Sequence, residues 1–226
     1  MFLTHFSSMQ EDLHDLGREY FTLARQVIAD DPNEALKLFG FRRPNQMLCI
    51  FRLSAEQLDT VLTHAGLPFG LNCGLSVRNT LAQVDSNKLI ESPFRPEWQQ
   101  YVERLQMAYW ERVRNVALDD PAAAATIFRF PEQHSMLTRV ARMRLSELRR
   151  LAKLNVALRI NQSVGFDLLL SLVEGGASHE RIAIAGMTAW ASGGSADESL
   201  KDRPGEFQSE LPSFHLKEDV VEEVAA

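Results

Sequence analysis

Between Tyr20 and Ala29 apolar side chains return every three or four residues (Phe21, Ala24, Ile28), the spacing of one face of an amphipathic helix. Asp31-Pro32 follows, a capping residue with proline in the first helical position, and predicts a short second helix that ends near Phe39-Gly40. A third helix is expected from about Pro44. Ser54-Ala55-Glu56-Gln57 has the spacing of a capping box and opens a fourth helix that runs to about Ala65. A short extended piece, Pro68–Leu71, leads to a closing helix over Leu75–Val84.

The same order of signals then comes round again. Set against each other at an offset of 89, Tyr20–Leu48 and Tyr109–Leu137 share eleven identities in 29 positions. Among them are Asp30-Asp31-Pro32 with Asp119-Asp120-Pro121, Phe39 with Phe128, Phe41 with Phe130 and Met47-Leu48 with Met136-Leu137. Ordinary residue usage would give roughly two. A one-residue slip aligns Leu58 with Leu148 and Val61 with Leu151; the original offset returns at Leu81 with Leu170 and Val84 with Val173. The chain is read as a tandem duplication of a five-helix module. In the second copy the short helix ends near Phe128-Arg129 and the third begins near Pro131. Leu145–Leu154 is its fourth helix, Val156–Ile160 its extended piece and Val164–Val173 its closing helix. Ser86–Pro96 has the composition of a linker. Ser178–Trp190 suits one additional amphipathic helix, and the Gly/Ser/Pro-rich acidic stretch from Ser192 is expected to be disordered.

Composition sharpens this picture in one respect only. The 226 residues are 45% apolar and 24% charged, as in ordinary globular proteins, and no apolar run reaches the ~18 residues that span a bilayer. The net charge of −6 is unevenly spread: −2 over residues 1–90, +4 over 91–160 and −8 over 161–226. An acidic chain is a poor autonomous ligand for nucleic acid, because phosphate repels it. The exception is a stretch carrying Arg139, Arg142, Arg144, Arg149, Arg150 and Lys153 with only Glu147 in opposition. Two helices around a turn at Arg142–Arg144 would have helix-turn-helix proportions, with these cations against phosphates. A solvated helix face, or contacts to the acidic tail, would account for the same charges. The tail is read either as a solubilising segment or as one that docks on the basic helix or presents Phe207, Phe214 and Leu216 to a partner.

Little else points to chemistry. His5, His14, His64, His134, His179 and His215 lack ligand spacing, and Cys49 and Cys73 form no CxxC, so neither a metal nor a cofactor is expected. No phosphate-binding loop, dinucleotide fingerprint, nucleophile elbow or HExxH occurs, so the chain is not expected to be an enzyme. The two-thiol usage and the absence of a signal-like start suggest a cytoplasmic protein. Tyr20, Phe21, Phe39 and Phe41 recur in the second copy as Tyr109, Trp110, Phe128 and Phe130. Their expected place is the core or the interface between modules, with Tyr20, Phe21, Phe39, Tyr109, Trp110 and Phe128 at that interface.

Tyr20-Phe-Thr-Leu-Ala-Arg-Gln-Val-Ile, followed by Asp30-Asp31, Ala35 and Leu38-Phe39-Gly40-Phe41, resembles the FlhD family of flagellar transcriptional regulators. Its tyrosine-led "LLLAQRL" helix, short Ala-containing helix and "LGI" turn come in this order. The family's "LTLPQMVKLA" segment is similar to Leu53–Leu62 and more so to Met143–Ala152. Activators of FlhD/FlhC type from integrative conjugative elements show similar segments. The resemblance covers roughly residues 16–86 and 105–174. Together with the repeat, it implies an all-α fold of two similar FlhD-like modules (1–86 and 97–191, the second with the extra helix) around the linker (87–96), while the acidic tail (192–226) lies outside the resemblance. It also implies transcriptional activation on promoter DNA with an FlhC-like partner that carries the zinc-binding cysteines, and recruitment of RNA polymerase. The family has one copy where this chain has two, so the tandem is expected to stand in for a homodimer as a pseudo-two-fold pair, with a homodimer of the chain as a further possibility. The alternative function is an adaptor or antiactivator that binds a regulator and never touches DNA.

Overall fold

The structure, a computed structural model, describes residues 2–41, 43–70, 81, 82, 84, 95–128, 134–154, 158–161 and 163–192, with backbone alone at 2–8, 134, 135 and 190–192. Among them ten helices and one two-stranded ladder are found. The first copy holds α1 (Phe2–Asp30), α2 (Pro32–Phe39), α3 (Pro44–Arg52), α4 (Ala55–Ala65) and β1 (Phe69–Gly70). The second holds α5 (Pro96–Asp119), α6 (Pro121–Ile127), α7 (His134–Arg142), α8 (Leu145–Ala152), β2 (Arg159–Ile160), α9 (Val164–Glu174) and α10 (His179–Ser192). The fold is all-α apart from that ladder.

The capping signals do what their chemistry dictates. Asp31 Oδ1 accepts from the amides of Asn33 and Glu34, each at 3.0 Å, and Asp120 Oδ1 accepts from Ala122 and Ala123 at 2.8 and 3.1 Å. The two caps share one backbone conformation, φ −146° and ψ 94° against φ −147° and ψ 100°. Ser54 and Gln57 close a reciprocal box at 3.2 and 2.8 Å. At the end of α2, Gly40 sits at φ +65°, and a Cβ there would run into the Arg159 side chain.

Two helices depart from the sequence pattern. The first runs from Phe2, eighteen residues ahead of the expected start, because nothing between Phe2 and Tyr20 breaks it: the segment has no proline and a single glycine, Gly17. In the second copy α5 opens at Pro96, the last residue read as linker, where proline's missing N–H costs nothing. Residues 87–94 of the expected linker, Leu75–Thr80 of the first closing helix, Cys73, Phe130, Pro131 and the tail beyond Ser192 lie outside the described residues. Leu81, Ala82 and Val84 are helical, as expected for the closing helix.

Helices from both copies bury one continuous core. At its centre Tyr20 stacks on Phe69 at 4.3 Å between ring centroids, and Phe69 meets Tyr109 at 5.7 Å. Each tyrosine is held by an aromatic pair from its own copy: Phe21 and Phe39 on Tyr20, Trp110 and Phe128 on Tyr109. The Tyr20–Phe39 and Tyr109–Phe128 contacts are both edge-to-face at an interplanar angle of 84°. Beside them β1 and β2 pair antiparallel, Phe69 with Ile160 and Gly70 with Arg159.

Contacts between the copies extend well beyond this centre. α9, which closes the second copy, lies on α3 and α4 of the first, and α10 lies on α4. Gln46 donates to the Asn161 carbonyl at 2.9 Å, Gln57 to that of Val173 at 3.1 Å, and the buried Tyr20 hydroxyl to that of Leu158 at 3.2 Å. In the opposite direction Arg139 donates to the Leu81 carbonyl at 3.1 Å.

Candidate nucleic-acid interface

The basic stretch folds into a helical corner. α7 and α8 are separated only by Met143 and Arg144, and both pack on α5. Leu137, Val140, Ala141, Met143, Leu148 and Leu151 turn inward and anchor the corner to the core. Gln106, itself buried, donates to the Ala152 carbonyl at 2.9 Å and fixes the end of α8. At its start Glu147 accepts from the Arg144 amide at 2.6 Å. With these six apolar positions committed inward, the charged ones at Arg142, Arg144 and Arg149 are left exposed, beside the equally exposed Leu145.

The six expected phosphate ligands divide into two groups. Arg142, Arg144 and Arg149 are exposed and form no ion pair among the described residues. Arg139, Arg150 and Lys153 are half-buried, and the Arg139 guanidinium is engaged with Leu81. Arg149 and Arg150 also lie in the last turn of α8, where positive charge complements the helix dipole.

The corner itself is not peculiar to the basic copy. α3 and α4 make the same turn in the first copy through Leu53 and Ser54. There Arg18 of α1 grips Asp59 with two hydrogen bonds of 2.7 and 2.8 Å, and that guanidinium holds the Asp59 carboxyl below its ordinary range. Arg52 lies 3.9 Å from Glu174 of α9. What distinguishes the second corner is its charge.

The aromatic residues expected between modules are all fully or almost fully buried: Tyr20, Phe21, Phe39, Tyr109, Trp110 and Phe128. Phe69, for which the alternation of residues gave no signal, joins the two groups.

Two further clusters were not visible in the sequence. A cleft of about 420 Å³ between α3 and α9 is lined by Arg43, Gln46, Cys49, Arg52, Asp167 and Glu174. Asp167 receives Arg43 at 2.5 Å and Gln46 at 2.8 Å; burial nonetheless raises its carboxyl, with these partners opposing. Burial, then hydrogen bonding and charge from Glu174, pushes the Cys49 thiol up to about 12. A thiol that stays protonated at neutral pH is a weak nucleophile, and the contacts of Arg43 and Gln46 with Asp167 clamp the copies together across the cleft. Between α4 and α10, the rings of His64 and His179 meet edge-on with centroids 5.1 Å apart. A separation of 115 positions hides that pair from any spacing rule. Among the described residues no group of three or more His, Cys, Asp or Glu is arranged to hold a metal ion, and no helix is long and apolar enough to cross a membrane.

Comparison with protein-family models, with curated proteins and with solved structures gave no match to this chain.

Proposed function

We propose that the chain is a non-enzymatic transcriptional regulator of FlhD-like type that acts on promoter DNA within an assembly. The observation that carries this reading is the α7–α8 corner, where Arg142, Arg144 and Arg149 stand exposed on a buried apolar base. Guanidinium groups so placed pair with phosphate oxygens and orient a helix on the duplex without reading its sequence. Sequence selection and much of the affinity would then come from an FlhC-like partner, with RNA polymerase recruited by the assembly.

The tandem copies take the part of a homodimer in this reading. Its support is the register of the ladder: Gly70 pairs with Arg159, and the two are 89 positions apart, the offset of the repeat. A two-fold axis between equivalent copies demands such a self-paired position. The matched Asp31 and Asp120 caps and the matched 84° ring contacts support the same arrangement.

The net charge of −6, together with the exposed Val164, Leu168, Ile184 and Met187 on α9 and α10, favours the second reading, an adaptor that binds a regulator and not DNA. Anisotropy of a labelled duplex from 50 to 200 mM salt separates the two. Phosphate contacts give affinity that falls steeply with salt and weakens when Arg149 and Arg150 are replaced by Glu. Absence of binding at 50 mM salt leaves obligatory help from a partner or the adaptor role, and the same titration with a partner recovered by pull-down decides between them.

A further inference from the structure

We infer that the chain meets duplex DNA through one face only, the α7–α8 corner, so that each chain occupies a single half-site despite its internal duplication. The inference rests on the DNA-binding reading above and adds the valency of the site to it.

A symmetric pair of modules would offer two equivalent faces and bind across a palindrome, as dimeric helix-turn-helix proteins do. Here the two corners share backbone but not charge. With the one-residue slip of the repeat, Arg142 corresponds to Arg52, Arg144 to Ser54 and Arg149 to Asp59. Of the three exposed guanidiniums only one has a cationic counterpart, and Arg52 faces Glu174 at 3.9 Å. At the position of Arg149 the first copy has a carboxylate, held by Arg18 and flanked by Glu56. Phosphate approaching that corner meets negative charge where the second corner supplies positive charge.

Steric access differs in the same sense. α10 has no counterpart in the repeat of the first copy, and it lies on α4, with Gly186 so close to His64 that a Cβ would come within 2.7 Å of the His64 carbonyl oxygen. α9 lies on α3 and α4 as well. The α9 contact has a counterpart in Arg139 of α7 on Leu81, so α10 is what the first corner carries in addition. The second corner thus also touches the other copy, but Arg142, Arg144 and Arg149 on it stay exposed.

The test uses the full chain and a labelled 24-base-pair duplex of mixed sequence. One duplex bound per chain is expected, with log K against log salt falling at a slope of about −2.7 for three phosphate contacts. Arg142→Glu with Arg149→Glu should weaken binding at least tenfold at 50 mM salt and make the slope shallower by about 1.8. Arg52→Gln should leave affinity within twofold. Circular dichroism of each variant checks that the helices persist. Two duplexes per chain, or binding that survives the double substitution and falls with Arg52→Gln, overturns the single-face inference while DNA binding stands. No binding by the unaltered chain at 50 mM salt overturns this inference, while DNA binding within an assembly is tested separately by the same titration with the partner present.

Discussion

Asp31 and Asp120 show how much a single side chain settles in this chain. Each carboxylate closes the amides of a helix that begins with proline, and each was legible because a cap acts within three residues of itself. Asp120→Ala is expected to cost about 1 kcal/mol, seen as a melting temperature lower by roughly 2–4 °C. Asp31 also takes Arg95 at 2.9 Å, and the Glu34 amide is the largest influence holding its carboxyl below the ordinary 3.8. A carboxyl lowered by folding stabilises above its unfolded value and loses that contribution as pH falls through the folded one. Acid titration of stability below pH 4 should therefore be shallower in Asp31→Asn than in the unaltered chain; equal slopes would remove the cap's role. Phe69 is the opposite case. Its place between Tyr20 and Tyr109 follows from the meeting of two segments 89 residues apart, which no local pattern announces. Phe69→Ala should cost roughly 3–5 kcal/mol by leaving a cavity between the two tyrosines, measurable by urea denaturation.

Elements were predicted best where both ends carry a signal. α2 and α4 have a capping residue in front and glycine behind, and the sequence pattern places both. α1 has no start signal, so its first eighteen residues were invisible until packing was known. α10 was expected from its amphipathic spacing, but its seat on α4 was not, since it depends on Gly186 and on two histidines far apart in sequence. That seat makes a pH prediction. Burial, and then the charge of His179, holds His64 below its ordinary 6.5. Glu180 and Arg181 flank His179 on α10, while on α4 Asp59 lies five residues before His64 and is committed to Arg18. Because the released helix leaves His64 easier to protonate, attachment of α10 is strongest above about pH 6.5 and weakens as pH falls through that value. Amide exchange in α10 should accelerate between pH 7 and pH 5 relative to α5, and His64→Gln should flatten the dependence. Equal acceleration in both helices would show global loosening instead.

At the scale of the molecule the described residues form one compact body, although the sequence repeats itself at an offset of 89. The reason is exchange. Gln46 and Gln57 of the first copy bond to backbone of the second, Arg43 reaches Asp167, and Arg139 of the second bonds to backbone of the first. Neither copy buries its apolar faces alone, since Tyr20, Phe69 and Tyr109 share one stack across the boundary. Unfolding is therefore expected in one calorimetric transition, with the heat of the transition agreeing with its temperature dependence. The stronger consequence concerns a severed chain. Produced separately, residues 1–90 and 91–226 should each lack a cooperative melt, because each leaves half of the stack in water. Mixed, they should recover the environment of Trp110, which is fully buried among Tyr109 and its neighbours, as a fluorescence change that depends on concentration. Joining the halves replaces that dependence with an effective concentration in the mM range. A half that melts cooperatively by itself would mean that the copies are independent domains in contact, and the exchange seen at α3, α4 and α9 would then be docking and not folding.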